Sequence, residues 1–149
     1  MTPRSLSLFT LLSILILTGC DSNSDESCLT VTPDDRYTIS GTAQTTTFTP
    51  ETKTYSVRNT CTEDVMLSVE EDVRWLDVEI PAFGEIEESG MLGAGTSIDV
   101  DIEVRYGSDN AERLNQLAAG TYGTDLRFED DTNGDTVTRL VELTVNAAP

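Results

Sequence analysis

The clearest pattern along the chain is strict alternation. In "SIDVDIEV", Ile98, Val100, Ile102 and Val104 alternate with Asp99, Asp101 and Glu103. Successive side chains of a strand point to opposite faces, so this segment reads as a strand with one dry and one wet face. The same period recurs in "VMLSVE", where Val65, Leu67 and Val69 alternate with Met66, Ser68 and Glu70. "TYGTDLRF" carries it through Tyr122, Thr124, Leu126 and Phe128, and "TVTRLVELTV" through Val141, Leu143 and Val145. Shorter runs, "CLTVTP", "RYTIS", "TTTFTP" and "TKTYSVRN", are separated by turn signals at Pro33-Asp34-Asp35 and Pro50-Glu51. Only "NAERLNQLAAG" could form a helical turn, which Gly120 ends. Seven or eight short strands at regular spacing predict an all-β, antiparallel β-sandwich.

The first residues break this pattern. In "LLSILILTGCDSNSDES" (11–27) an apolar run stops at a cysteine and a polar stretch follows. The run from Leu6 to Leu17 is shorter than the about 20 residues a spanning helix needs. With Arg4 before it and small residues after it, it reads as a signal peptide. Leu17-Thr18-Gly19-Cys20 resembles the bacterial lipobox. That resemblance implies cleavage before Cys20 and lipid attachment there, and more than one acyl chain makes such an anchor stable. The chain then divides into a lipoprotein signal peptide (1–19), an acylated cysteine with a flexible tether (20–27) and one sandwich domain (28–149). It is expected in the bacterial cell envelope, on the periplasmic face or the cell surface.

Charge and cysteines narrow the chemistry. A net charge of −18 repels nucleic acid and anionic headgroups, so membrane association is expected through the lipid alone. With Cys20 lipidated, Cys28 and Cys61 remain, and an even pair in an exported protein reads as a disulfide. Two free thiols are the alternative. The bridge fits the strand order: Cys28 begins the first strand, Cys61 follows "TKTYSVRN", and antiparallel pairing of the two brings these ends together. The chain contains no histidine and no glycine-rich phosphate loop, and its carboxylate pairs, such as Glu70-Glu71, are background in so acidic a chain. No catalytic activity is expected, and no cofactor other than a calcium ion at Asp131, Asn133 and Asp135 as the alternative.

The ordered segments "LTVTP", "FTPETKTYSVRNT", "LSVEEDVRWLDV", "GMLGAGTSIDVDIEV", "LAAGTYGTDLRF" and "TNGDTVTRLVELTV" resemble the BACON-type immunoglobulin-like domains of exported bacterial proteins. The resemblance covers nearly all of the chain after the tether. It implies an immunoglobulin-like sandwich of a class proposed to bind carbohydrate or to act as a spacer. It also places Trp75 in the core. The chain departs from the pattern at Glu79–Ser89, which is longer and more acidic, and at Cys61, which replaces a small turn residue and supports a bridge to Cys28.

Candidate contact residues follow. Tyr122 after Gly120 reads as a tyrosine corner, and Phe48, Tyr55 and Phe128 read as core. Tyr37, Phe83 and Tyr106 are the aromatics left to be exposed. In the loop "EIPAFGEIEES", Phe83 is either an exposed anchor, with Glu85, Glu87 and Glu88 steering a basic partner, or a plug folded under the sandwich. Asp131, Asn133, Asp135 and Glu142 stand at positions one, three, five and twelve of a calcium-loop pattern. Thr136 replaces its glycine, and a hairpin turning at Asn133-Gly134 explains the same residues. Two functions remain: a lipid-anchored interaction, adhesion or spacer module with a protein partner, or a carbohydrate-binding module at the envelope.

Overall fold

The computed structural model describes residues 27–84, 88–105 and 117–149. Ten strands form: β1 (Leu29–Thr32), β2 (Tyr37–Thr42), β3 (Phe48–Thr49), β4 (Thr52–Asn59), β5 (Val65–Glu71), β6 (Leu76–Glu79), β7 (Ser89–Leu92), β8 (Ser97–Val104), β9 (Gly120–Asp130) and β10 (Asp135–Asn146). They build a four-stranded sheet, β1-β4-β8-β6, and a six-stranded sheet, β3-β2-β10-β9-β5-β7. The count exceeds the seven or eight read from spacing because β6 and β7, each only four residues long, are not among the segments read as strands. "NAERLNQ" lies outside the described residues.

The alternating segments form the core as their phase requires. Val65, Leu67 and Val69 of β5, Val100, Ile102 and Val104 of β8, and Val141, Leu143 and Val145 of β10 are all buried. Tyr55 of β4 meets Phe128 of β9 edge to face across the two sheets, with ring centroids 5.5 Å apart. Burial pushes the Tyr55 phenol up to about 12, and the charge of Asp35 adds to this. Pro33 lies between β1 and β2, where the chain leaves one sheet for the other. In the second sheet β2 runs parallel to β10, from Tyr37↔Val141 to Thr42↔Asn146, the one departure from antiparallel pairing among the described strands.

At both ends of the six-stranded sheet an aromatic ring covers an inward-facing glycine. Gly41 of β2 is paired with Phe48 of β3, and a Cβ on Gly41 would lie 2.4 Å from the Phe48 ring. Gly90 of β7 is paired with the buried Leu67, and a Cβ there would lie 2.6 Å from Cγ of Phe83. Rings in these places shield backbone that a glycine leaves bare.

Candidate functional site

Cys28 and Cys61 form a disulfide with a Cα–Cα distance of 5.1 Å. The antiparallel register Leu29↔Asn59 brings the two ends together, as the strand order predicts. Asn59, fully buried, ties the loop after β4. Its Nδ2 donates to the carbonyls of Glu63 (2.8 Å) and Leu92 (3.1 Å), and its Oδ1 accepts the Cys61 N–H (2.9 Å).

The calcium-loop pattern falls on the β9–β10 hairpin, with Gly134 at positive φ (80°). Glu142 pairs with Gly123, seven positions down β10 from Asp135, about 23 Å away along a strand. There it meets Arg36 at 3.2 Å. The four pattern residues therefore do not converge. The organising side chain is instead Asp130, which the pattern omits. Fully buried, it accepts the N–H groups of Thr132 (2.9 Å) and Asn133 (3.2 Å) and the Asn133 amide (2.7 Å). Asp130, Asp135 and the Cys28 sulfur lie within 4.8 Å of one another, but that sulfur is already bonded to Cys61 and has no thiolate to offer a metal.

The aromatics fall mostly to the interior. Tyr37, expected among the exposed rings, is only 1% exposed, and its hydroxyl donates to the Pro50 carbonyl at 3.0 Å. It faces inward because it shares the phase of Ile39 on β2. Trp75 is 3% exposed. The Tyr122 hydroxyl donates to the Ala118 carbonyl at 2.9 Å, the tyrosine-corner geometry. Phe83 is half-buried. Its N–H closes a tight turn onto the Ile80 carbonyl (2.9 Å), and this sets the ring over Gly90. Glu88 is exposed, and its carbonyl accepts the Val69 N–H. Cys20, Glu85, Glu87 and Tyr106 lie outside the described residues.

A cleft of about 290 Å³ opens beside the tyrosine corner, lined by Asp72, Val73, Arg74, Trp75, Leu117 and Tyr122. Asp72 of this lining pairs with Arg127 (2.8 Å), which also meets Glu70 (3.1 Å) and Glu129 (3.4 Å). The Arg127 hydrogen bonds hold the Asp72 carboxyl below the usual carboxylate range. The described lining offers aromatic surface and fixed charge, but no activated nucleophile. On the opposite sheet the outer face carries Asp77 and Glu79 of β6 beside Asp101 and Glu103 of β8. Partial burial pushes the Glu103 carboxyl up, and the neighbouring carboxylates Glu79, Asp101 and Asp77 add to this. Arg105 pairs with Asp77 at the margin of this face.

No protein-family model matches the chain, and no curated protein matches it in sequence. Solved structures do. The ASH/PapD-like domain 7 of human CEP192 aligns over 98% of this chain and all of its own, with TM-score 0.53 and 11% identity. The CupB2 chaperone of Pseudomonas aeruginosa aligns over 78% of this chain with TM-score 0.50 and 9% identity. A family 123 glycoside hydrolase of Clostridium perfringens aligns over 76% of this chain but 23% of its own, with TM-score 0.53 and 7% identity. The fold is an immunoglobulin-like, PapD-like β-sandwich. At these identities the likeness is one of fold, and the chain spans about half the length of the chaperones it matches.

In this sandwich one surface feature escaped the sequence reading. Met66 and Met91 are paired across β5 and β7 on the outer face of the six-stranded sheet, 37% and 55% exposed. The signal was present: Met66 is an apolar residue on the wet phase of "VMLSVE".

Proposed function

We propose that this chain is an exported, lipid-anchored and non-catalytic interaction module of the bacterial envelope, with the sandwich as a rigid body held off the membrane by residues 20–27. The observation that carries this reading is the Cys28–Cys61 bridge, since structural disulfides belong to oxidising compartments outside the cytoplasm. The lipobox at Leu17–Cys20 and the BACON-type order of segments support it from the sequence. The fold supports it too, because Ig-like and PapD-like sandwiches commonly present edges and loops to other proteins. The test has two parts. Cys20→Ser should move the protein from the membrane to the soluble exported fraction. In-cell cross-linking of the wild type should give a discrete heteromeric species. Membrane retention of the variant refutes the anchor, and a wild type that cross-links to nothing refutes the interaction role.

A carbohydrate-binding role rests on the cleft beside Trp75 and Tyr122. The burial of Trp75 weighs against it, because a sugar stacks on an exposed ring. Trp75 is the chain's single tryptophan, so its fluorescence reports directly on that cleft. Saturable emission changes with envelope oligosaccharides would move the assignment to a glycan partner.

A further inference from the structure

Edge strands expose unpaired N–H and C=O groups, and proteins guard them with charges, proline, short length or covering groups. Three of the four edges here are guarded. On β1, the Ser27 hydroxyl bonds both the N–H and the carbonyl of Leu29, and Arg139 donates to the Val31 carbonyl. On the opposite edge of that sheet, β6 carries Asp77 and Glu79. The third, β3, is two residues long and is followed by Pro50.

The fourth edge, β7, is as short as β6 but carries no charge and no proline, and among the described residues no hydrogen-bonding group covers it. Its sequence, Ser89-Gly90-Met91-Leu92, is uncharged and free of proline. The Val69 N–H donates to the Glu88 carbonyl (2.9 Å), and this sets the phase of the ladder. Gly90 and Leu92 turn their backbone groups toward β5, so Ser89 and Met91 turn theirs outward. Among the described residues no hydrogen bond reaches those outward groups. Beside them lie exposed Met66 and Met91, flexible apolar side chains suited to varied contacts. The charge around this edge is negative. Glu88 precedes β7, Asp64 accepts the Ala94 N–H just after it (2.9 Å), and the Asp131 N–H donates to the Met66 carbonyl (2.8 Å). A second copy would bring these carboxylates together in a chain of net charge −18, so self-pairing is opposed.

We propose that β7 is an acceptor edge for an extended, lysine- or arginine-bearing segment of a partner protein, which adds to the six-stranded sheet and packs apolar residues on Met66 and Met91. This rests on the interaction-module reading and names the surface through which that module takes its partner. Backbone pairing supplies the attachment, and alternate side chains supply selectivity.

The probe is a capped peptide of alternating valine and lysine, with a valine–glutamate peptide as control, added to the disulfide-intact exported domain. Amide exchange resolved by NMR is the readout. In the free protein Ser89 and Met91 should exchange quickly and Gly90 and Leu92 slowly. The valine–lysine peptide should slow Ser89 and Met91 by about tenfold or more, as ladder bonds form. Met91→Pro should abolish this without breaking the ladder to β5, since it removes an N–H that points outward. Should that variant not fold, Met91→Lys keeps the strand and should likewise lose the peptide. The proposal is overturned by binding without protection of Ser89 and Met91, by equal binding of the glutamate peptide or of Met91→Lys, by no binding at all, or by protection that grows with protein concentration alone. If an envelope partner cross-links to Met91→Lys as well as to wild type, the edge is wrong while the interaction role stands.

Discussion

Removing Phe83 and filling Gly90 test the closure of the six-stranded sheet in a way that single substitutions cannot. Phe→Ala at a fully buried site costs about 3–5 kcal/mol, and the half-buried Phe83 ring should cost about 2 kcal/mol. Gly90→Ala alone places a Cβ 2.6 Å from Cγ of that ring, and such overpacking costs about 1–3 kcal/mol. In the Phe83→Ala background the same methyl enters vacated space. There, restricting the unfolded chain should make Gly90→Ala neutral or stabilising by about 0.5 kcal/mol. The second substitution thus changes sign, and the coupling between the two should reach about 1–3 kcal/mol. Urea denaturation of the four proteins in the cycle, at constant m, measures it. Costs that add within about 0.5 kcal/mol would show that the ring does not lie on Gly90. A Phe83→Ala variant as stable as wild type would return Phe83 to the role of exposed anchor.

Three further outcomes are expected. Cys61→Ser should cost about 4 kcal/mol by chain entropy for a separation of 33 residues, and native, non-reducing alkylation of the wild-type domain should label neither Cys28 nor Cys61; labelling of both would refute the bridge. Asn59→Ala should cost about 2–4 kcal/mol, because it strips the Glu63 and Leu92 carbonyls and the Cys61 N–H of a buried partner; a loss under about 0.5 kcal/mol in thermal or urea unfolding would show that water replaces it. Stability should peak in mild acid. Burial raises the Glu71 and Glu103 carboxyls above the ordinary 4.5, so between that value and the raised ones the fold binds more protons than the unfolded chain, and stability falls as pH rises through this window. Arg127 and Lys53 lower Asp72 and Asp35 below 3.8, so their stabilisation is lost as pH falls further. A melting temperature that rises steadily to pH 7 would contradict the first pair.

Much of the sandwich was readable because burial writes a period of two wherever a strand is long and one face is wet. "TKTYSVRN" coincides with β4 and "SIDVDIEV" with β8. The disulfide was readable because Cys28 and Cys61 are the two cysteines left beside the lipobox-like Cys20, and antiparallel pairing of the strands that carry them brings their ends together. Tyr37 was misread because its inward phase continues for one step to Ile39 before a glycine, Gly41, ends the apolar signal. Phe83 had no phase at all, since its position follows from a tight turn and from Gly90. The parallel pairing of β2 with β10 joins residues about a hundred positions apart, and no spacing rule encodes that. The open edge at β7 was hidden for a related reason. An edge is defined by what fails to pair with it, and in Ser89–Leu92 a glycine takes one of the two inward positions, so no alternation marks it as a strand.

The parallel contact between β2 and β10 has a mechanical consequence. With the Cys28–Cys61 bridge reduced, a chain held on its N-terminal side and pulled near its C-terminus would load β2 at its start and β10 at its end, in opposite directions along the same pair of strands. Because these strands run side by side in the same sense, that force slides one past the other and strains the backbone pairing over Tyr37–Thr42 and Val141–Asn146 together. An antiparallel pair pulled from neighbouring ends would open like a zipper, one rung at a time. The Cys28–Cys61 bridge encloses β2, so in the oxidised domain it passes the load from Cys28 directly to Cys61 and takes this shear contact out of the path. The same strand pair would thus yield abruptly at one threshold when the bridge is reduced and be shielded from the pull when it is oxidised.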